Sequence, residues 1–220
     1  MRNLSAEYRR VFNKEGKRSL YVALLILALS LIFQYYVGVY STARATQFVG
    51  DLFLDNLPVV NVNPIIIEGA LWAVFATVLL VAAKPRYLIF TLKAVAVFLA
   101  IRAFFNAVTH LGIYPDQLNP GNGTFSQLYV ATGLETGYFF SAHTGLPAFM
   151  ALIFWREKIW RFFFATLSVL FGISVLLAHV HYSIDVFAAP FMAYAIFKLS
   201  EYLFSGDYQL IQNDRPGAPF

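Results

Sequence analysis

Two histidines and an aspartate in this sequence have the residue types and spacing for acid–base and nucleophilic chemistry, and an arginine could accompany them. His181 and Asp185 are four residues apart, so on a helix they share one face, where the carboxylate can accept the imidazole N–H. That bond would fix the tautomer of His181 and leave its other ring nitrogen to attack or to take a proton. The alternative is that His181 and Asp185 form a hydrogen-bonded pair with a structural role in the core. His143 supplies a second imidazole as a general acid. Arg102, which is always charged, suits a phosphate, with an ion pair to Glu68 as its alternative.

These residues belong to a chain with the composition of a membrane protein. Of its 220 residues, 59% are hydrophobic and 18% aromatic, but only 13% are charged. A soluble domain carries about 25% charged residues, so the composition argues against a cytosolic enzyme and against a nucleic-acid-binding protein. The chain has no cysteine, which excludes a disulfide framework, a thiolate zinc site, an iron–sulfur cluster and a cysteine nucleophile.

Six apolar stretches are long enough to cross a membrane, which requires about 20 residues each. The boundary between the last two contains neither glycine nor proline. A single helix over 162–204 would nevertheless be about 64 Å long, twice the hydrocarbon thickness, so we predict a turn near 179–182. The sequence thus predicts an all-α, polytopic membrane protein with transmembrane helices at 19–40, 64–83, 87–111, 137–155, 160–179 and 182–204.

The distribution of lysine and arginine predicts the orientation, because cytoplasmic loops carry an excess of both. Six spans put both termini on one side of the membrane. The thirteen basic residues on that side are Arg2, Arg9, Arg10, Lys14, Lys17, Arg18, Lys84, Arg86, Arg156, Lys158, Arg161, Lys198 and Arg215. Outside the spans, the opposite side has Arg44 alone. Both termini are therefore expected in the cytoplasm, and the loops 41–63 and 112–136 outside.

This topology divides the chain into three parts. Residues 1–18 are expected to form a cytoplasmic N-terminal segment, and residues 19–204 a six-helix catalytic domain. Residues 205–220 contain two glycines and two prolines, so we expect a cytoplasmic tail that frays. The basic N-terminus and the apolar run after it also resemble a signal peptide, but the run is longer than an h-region.

Charged and imidazole groups inside apolar spans are costly, so each marks a candidate functional position. The eight in this chain are Glu68, Lys93, Arg102, His110, His143, His179, His181 and Asp185. Lys93 falls near the inner edge, where its ammonium can extend toward the inner surface. Nearly all the others fall at the outer leaflet, although they come from four helices. This common depth predicts one site, with Glu68, His110, Ser141 and Thr144 as candidate supporting residues.

A metal site and a serine-hydrolase site are both less favoured by the sequence than a site built on the histidines and Asp185. His179 and His181 are two residues apart, so on a helix they diverge, and the chain has no HExxH or paired-carboxylate helix pattern. Ser141 lacks the GxSxG elbow of the serine hydrolases. The sequence therefore implies neither a metal nor a cofactor.

Two stretches around these histidines resemble motifs of the sphingomyelin synthases. Residues 138–144, Tyr-Phe-Phe-Ser-Ala-His-Thr, are similar to Tyr-x-Phe-Ser-Gly-His-Thr, with Ala142 in place of glycine. Residues 178–186, Ala-His-Val-His-Tyr-Ser-Ile-Asp-Val, are similar to Ala-His-x-His-Tyr-Thr-x-Asp-Val. Residues 51–58 and 102–111 resemble the family more loosely, and the four patches follow in the family's order.

That family belongs to the phosphatidic acid phosphatase type 2 superfamily of lipid phosphatases and phosphotransferases. The resemblance implies a six-helix fold with an outward-facing triad in which His181 is the nucleophile, Asp185 orients it and His143 protonates the leaving group. The superfamily's phosphatase motif is only partly present, since Ser174 is kept but Val175 replaces its arginine. The upstream Lys-x6-Arg-Pro motif is missing. These departures favour the synthase branch over a plain phosphatase.

The sequence therefore predicts an enzyme that moves a phosphoryl head group from a phospholipid to a lipid hydroxyl, of ceramide or a diacylglycerol-like lipid, through a phosphohistidine intermediate. A lipid phosphate phosphatase or a phospholipase C-type hydrolase with the same site stays open. So does a small transporter or scramblase, although transporters usually place polar groups at the midplane, among internal repeats. The expected location is the bacterial plasma (inner) membrane, with the active site on the extracytoplasmic side.

Overall fold

The computed structural model of the protein describes residues 4–121, 123–131 and 137–212. Within these ranges the chain forms helices, turns and loops, without a β-strand. The α-helices in chain order are α1 Leu4–Val11, α2 Lys14–Arg44, α3 Asn63–Ala83, α4 Leu88–Val108, α5 Thr124–Ala131, α6 Ala142–Ile153, α7 Lys158–Leu177, α8 Ser183–Leu203 and α9 Ser205–Gln212. A 3-10 turn, Pro85–Tyr87, joins α3 to α4. The all-helical class predicted from the sequence is confirmed.

Five of these helices are long and apolar enough to cross a membrane: α2, α3, α4 with the turn before it, α7 and α8. The shortest of them, α7, has 20 residues, which matches the length needed to span about 30 Å of hydrocarbon. Helix α2 begins at Lys14 rather than at residue 19, because the side chain of Asn13 caps it by accepting the Gly16 N–H at 2.8 Å.

The helix in the region of the fourth predicted span is shorter than we expected. The sequence predicted a span over 137–155, but α6 covers only 12 residues and is about 18 Å long. Residues 137–141, directly before α6, are not helical, because Gly137 has a left-handed φ of +79° and Ser141 caps the helix. The Oγ atom of Ser141 accepts the Thr144 N–H at 3.4 Å. Helix α6 packs against α7 and α8, so protein rather than lipid surrounds much of it.

The core of the bundle forms around α6. Its Phe149 is fully buried and lies against Phe98 of α4, with ring centroids 5.3 Å apart. The ring of Phe140 contacts the same Phe98 at 5.2 Å. Gly172 allows α7 to approach α8 closely, since a Cβ at this position would lie 3.2 Å from Cγ1 of Val186. This packing holds α6, α7 and α8 as one unit.

The connections between helices gather at two ends of the bundle. At one end, Tyr8 of α1 donates a hydrogen bond to the Ala82 carbonyl of α3 at 2.6 Å, so the N-terminal helix lies against the bundle. At the other end, the Val60 N–H donates to the Leu177 carbonyl at 2.8 Å. We call the first the terminal end, because α1 and α9 lie there, and the second the site end.

The start of the predicted C-terminal tail does not fray. Residues 205–212 form α9, which docks on the terminal end of the bundle. The ring of Tyr208 packs on Phe90 with centroids 4.9 Å apart, and Ile211 is 2% exposed. Local composition suggested a tail, but these side chains find an apolar surface that only the assembled helices provide.

Helix α9 also covers Lys93, whose ammonium we expected to extend to the inner surface. Asp207 lies 2.5 Å from the Lys93 Nζ, and that ammonium also donates to the Ser19 hydroxyl at 2.6 Å. The side chains of Lys93 and Asp207 are 9% and 14% exposed. The ammonium therefore ends in a buried ion pair that joins α9 to α4.

Candidate active site

The turn between α7 and α8 places His181 and Asp185. After α7 ends, His179 adopts a left-handed backbone conformation with φ of +56°, and its N–H donates to the Leu176 carbonyl at 3.0 Å. A left-handed residue at this position ends a helix and reverses the chain direction. Helix α8 then begins at Ser183. The turn predicted from the length of the apolar run is therefore present, and His181 lies just before α8 rather than within a helix.

The imidazole of His181 lies beside the carboxylate of Asp185. Nδ1 of the ring is 3.5 Å from Oδ2 of the carboxylate, longer than the roughly 2.7–3.2 Å of a typical N–H···O bond. The Tyr182 N–H donates to the same Oδ2 at 3.1 Å, which holds the carboxylate in the first turn of α8. Catalytic hydrogen bonds are often long in ligand-free structures and shorten when the substrate binds, so this pair can form with a small rotation of the ring.

His143 lies in the first turn of α6 and faces His181. The centroids of the two rings are 6.2 Å apart, with an interplanar angle of 67°. The Ser141 N–H donates to the main-chain carbonyl of Asp185 at 3.1 Å, which ties the start of α6 to the start of α8. The structure thus brings together the three residues that the sequence predicted to act together, and one main-chain bond fixes the two helix ends that carry them.

Both histidines line a cavity of about 290 Å³ at the site end. Its wall includes the last turn of α2, the first turn of α3, and residues of the segments 109–120 and 137–138. Besides the two histidines, the wall has seven polar side chains, all of uncharged types: Ser41, Thr42, Asn63, Thr109, Gln117, Asn119 and Tyr138. A cavity of this size holds a small polar group, with apolar positions such as Ile66 and Ile67 beside it.

Arg102 lies behind the wall of this cavity. Its side chain is 0% exposed and is not part of the wall. The guanidinium donates from Nε to the Phe140 carbonyl at 2.9 Å and from Nη2 to the Gly137 carbonyl at 2.8 Å. We predicted a phosphate ligand, with an ion pair to Glu68 as the alternative. The non-helical segment that leads to His143 crosses α4 here, and its carbonyls, which no helix pairs, accept the guanidinium N–H groups.

For the phosphotransfer reaction that the sequence predicts, we expect Arg102→Lys to lower turnover at least tenfold, which corresponds to about 1.4 kcal/mol on the barrier. Lysine keeps the charge but cannot bridge the carbonyls of Gly137 and Phe140 with one rigid fork, so His143 should lose its alignment. Because Arg102 lies outside the cavity wall, kcat should fall while KM stays near its wild-type value. Steady-state kinetics on a labelled phospholipid measures both, with the exposed Arg156→Lys as the matched control. A raised KM at constant kcat would instead show that Arg102 binds the phosphate.

Two of the predicted supporting residues shape the start of α6. Ser141 caps the helix and is fully buried. The main-chain carbonyl of Thr144 accepts a hydrogen bond from the Ser168 hydroxyl at 2.7 Å, which joins α6 to α7. Both residues therefore act on the position of His143 through the backbone.

The other two supporting candidates lie outside the cavity wall. Nε2 of His110 is 3.1 Å from the Ala107 carbonyl, and the ring packs on Tyr40 of α2 with centroids 5.4 Å apart. Glu68 is half-buried, and its Oε2 atom has no hydrogen-bond partner among the residues that the structure describes.

Tyr138 is a site residue that the sequence patterns did not predict. Its ring meets that of His181 edge-on, with centroids 6.3 Å apart, and its hydroxyl donates to Oε1 of Gln117 at 2.9 Å. Both Tyr138 and Gln117 line the cavity. A signal was present, because Tyr138 opens the stretch that contains His143, but a tyrosine in an apolar segment is usually a packing residue.

In the described part of the chain, no group of three or more histidine, aspartate or glutamate side chains gathers as a metal site would require. The ring of His179, the neighbour considered for such a site, instead packs edge-on against Tyr114 with centroids 5.3 Å apart. His179 therefore contributes through its backbone turn and its packing.

No family model, curated protein or solved structure significantly matches this chain. The chemistry of the site accordingly rests on its own geometry. Two imidazoles face one cavity, and a buried carboxylate lies behind one of them. Such a set can attack an electrophile with one ring and transfer a proton with the other.

Proposed function

We propose that this protein is an integral-membrane lipid phosphotransferase, similar to the sphingomyelin synthase-like branch of the phosphatidic acid phosphatase type 2 superfamily. One observation carries the proposal: His143 and His181 face each other across one cavity with ring centroids 6.2 Å apart, and Asp185 lies behind His181. Attack by one imidazole and protonation by a second are the two functions that transfer of a phosphoryl head group requires.

The proposed reaction has two steps. In the first, Nε2 of His181 attacks the phosphorus of a phospholipid and forms an N–P bond. The P–O bond to diacylglycerol breaks, and His143 gives its proton to the departing oxygen. In the second step, the hydroxyl of an acceptor lipid, ceramide- or diacylglycerol-like, gives its proton to His143 as its oxygen attacks phosphorus and the N–P bond breaks. Asp185 stabilises the positive charge on His181.

The start of α6 supports binding of an anionic phosphoryl group without a cofactor. The first N–H groups of a helix have no intrahelical partner, and the helix dipole is positive there. His143 lies in this first turn and in the cavity wall, so the positive end of α6 faces the bound group. Arg102 adds a fixed positive charge one layer behind. The proposed reaction therefore requires no metal.

The proposal includes six crossings with both termini in the cytoplasm. Although α6 alone is about 18 Å long, the five non-helical residues before it, 137–141, add up to about 16 Å. Together they match the hydrocarbon thickness of about 30 Å. The excess of basic residues at the terminal end supports a cytoplasmic location for that end. The active site then opens on the outer side, and we propose the bacterial plasma membrane as its location.

In sealed right-side-out vesicles, a membrane-impermeant histidine reagent should inactivate the enzyme, because both site histidines lie at the outward-facing end. The matched control is His110→Gln, which removes a histidine of the same end that lies outside the cavity wall. This variant should lose activity to the reagent as fast as wild type does. Residual activity after each exposure time gives the rate. Inactivation only after permeabilisation would show that the orientation in the membrane is the opposite of the one proposed.

The proposed activity is tested with purified protein in detergent and a head-group-labelled phospholipid, with and without ceramide or diacylglycerol. Label in a new lipid that requires the acceptor supports the phosphotransferase. Release of a water-soluble labelled phosphate ester, irrespective of acceptor, would show a hydrolase that uses water in the second step. No consumption of the phospholipid would contradict an enzyme and favour a transporter or scramblase. The His181→Ala variant serves as the blank in each arm.

A further inference from the structure

Asp51 is a buried carboxylate that the proposed reaction does not use. It lies in the loop between α2 and α3, at the start of the stretch 51–58 that the sequence singled out, and it is 8% exposed. Its Oδ1 accepts the N–H groups of Phe53 and Leu54 at 3.0 and 3.2 Å. Its Oδ2 accepts the N–H of Ser183 at 2.7 Å. One oxygen therefore shapes the loop, and the other reaches a different part of the chain.

The bond from the Ser183 N–H to Asp51 is important because Ser183 lies between His181 and Asp185. Ser183 is the first residue of α8, two residues after His181 and two before Asp185. The first N–H groups of a helix need acceptors from outside the helix. Here Asp185 accepts the N–H of Tyr182 at 3.1 Å, and Asp51 accepts that of Ser183. Two carboxylates thus hold two of the three residues that connect His181 to Asp185.

The surroundings of Asp51 keep it charged. Burial raises the pKa of its carboxyl, but the hydrogen bonds from Ser183, Leu54 and Phe53 lower the pKa more, so that it lies below the usual 3.8. An ionised carboxylate at a helix N-terminus also interacts favourably with the helix dipole. The loop is held in turn by Asp55, whose Oδ2 accepts the Asp51 N–H at 3.2 Å.

We propose that Asp51 is a positioning residue of the active site: through the Ser183 N–H it fixes the first turn of α8 and so aligns the Asp185 carboxylate with His181. Asp51 is not part of the cavity wall, so it acts on the reacting groups through α8 alone. This inference rests on the proposed function for its kinetic consequence, and its structural consequence is independent of that function.

Asparagine at this position separates the two roles of the carboxylate. In Asp51→Asn, the single side-chain oxygen can keep the loop turn with Phe53 and Leu54, and the amide nitrogen then faces the Ser183 N–H, donor against donor. We expect kcat to fall about tenfold or more, with KM within about twofold of wild type and little change in melting temperature. Asp116→Asn, which alters an exposed carboxylate on the same end, is the matched control and should change neither parameter.

Ser183→Pro tests the same bond from the donor side. Proline is favoured at the first position of a helix. It removes the N–H that Asp51 accepts, together with the Ser183 hydroxyl, which also hydrogen-bonds Asp51. Tyr182 before it has φ of −67° and ψ of 154°, a conformation that a following proline prefers. Ser183→Pro should lower kcat as Asp51→Asn does, whereas Ser183→Ala, which removes the hydroxyl but keeps the N–H, should lower kcat less than Ser183→Pro. Residues that act through one bond are not additive, so the double variant should resemble either single one.

A second readout does not depend on turnover. The ¹⁵N signals of the His181 ring report its tautomer and its hydrogen bond to Asp185, and Asp51→Asn should shift them while Asp116→Asn does not. Unchanged ring signals, additive losses of kcat, or a raised KM at constant kcat would each overturn the proposal. If the wild type consumes no phospholipid, the proposed function fails, and the ring signals still decide the role of Asp51.

Discussion

Replacing His181 with alanine should reduce phospholipid turnover about a thousandfold or more, because the proposed reaction then lacks the nitrogen that would form its covalent intermediate. His143→Ala and Asp185→Ala should each abolish turnover as well, since the first removes the proton donor and the second removes the group that orients the nucleophile. Groups that act as one unit are strongly non-additive. The triple variant should therefore be little worse than His181→Ala alone. Initial rates with a head-group-labelled phospholipid measure the effect.

The loss must be separated from misfolding, because all three side chains are buried. Size-exclusion elution and thermal melting in detergent should stay close to wild type for His181→Ala. His110→Ala is the matched control, since it removes an imidazole of the same end that lies outside the cavity wall and should keep its rate. Wild-type rates in His181→Ala would overturn its assignment as the nucleophile.

Replacing Asp207 with alanine should destabilise the fold by about 3–5 kcal/mol, because it leaves the buried Lys93 ammonium without its counter-charge. The matched control is Lys198→Met. It breaks the pair with Glu201, in which the lysine side chain is 53% exposed, and an exposed pair contributes only about 0–1 kcal/mol. Equilibrium unfolding in mixed detergent measures both variants. The double variant Lys93→Met with Asp207→Ala should recover much of the loss, because it removes the unpaired charge.

The single variant Asp207→Ala should leave the catalytic rate unchanged. Helix α9 lies at the terminal end, and the histidines lie at the site end. Under conditions in which Asp207→Ala is still folded, kcat should stay within about twofold of wild type, since the barrier depends on groups near the cavity. A melting temperature equal to that of wild type would show that the Lys93–Asp207 pair contributes nothing to docking α9.

Hydropathy was sufficient to locate five helices that are long and apolar enough to cross a membrane, because the cost of an apolar segment in water depends on that segment alone. The closeness of His181 and Asp185 also followed from local spacing, although His181 proved to precede α8 instead of lying on it. The turn at His179 followed from length, since one helix over both runs would exceed the bilayer.

The length of α6 did not follow from hydropathy, which is the same whether an apolar side chain faces lipid or protein. Residues 137–141 are apolar enough to continue a helix, but the Arg102 guanidinium holds their carbonyls and Ser141 caps the helix after them. Similarly, the composition of 205–220 predicted a tail, whereas residues 205–212 form α9. Its docking depends on the buried Lys93, which belongs to a helix far away in sequence.

Residue types and their spacing predicted, from the sequence alone, a helical protein with helices apolar enough to cross a membrane and with two histidines and a carboxylate at one level. The partners of its buried charges depend on tertiary structure. Arg102 is 35 residues from the Gly137 carbonyl that it binds, and Asp51 is 132 residues from the Ser183 N–H that it accepts. A buried charge must find hydrogen-bond partners wherever the packing brings them, and local patterns of hydropathy and spacing carry no information over separations of that length.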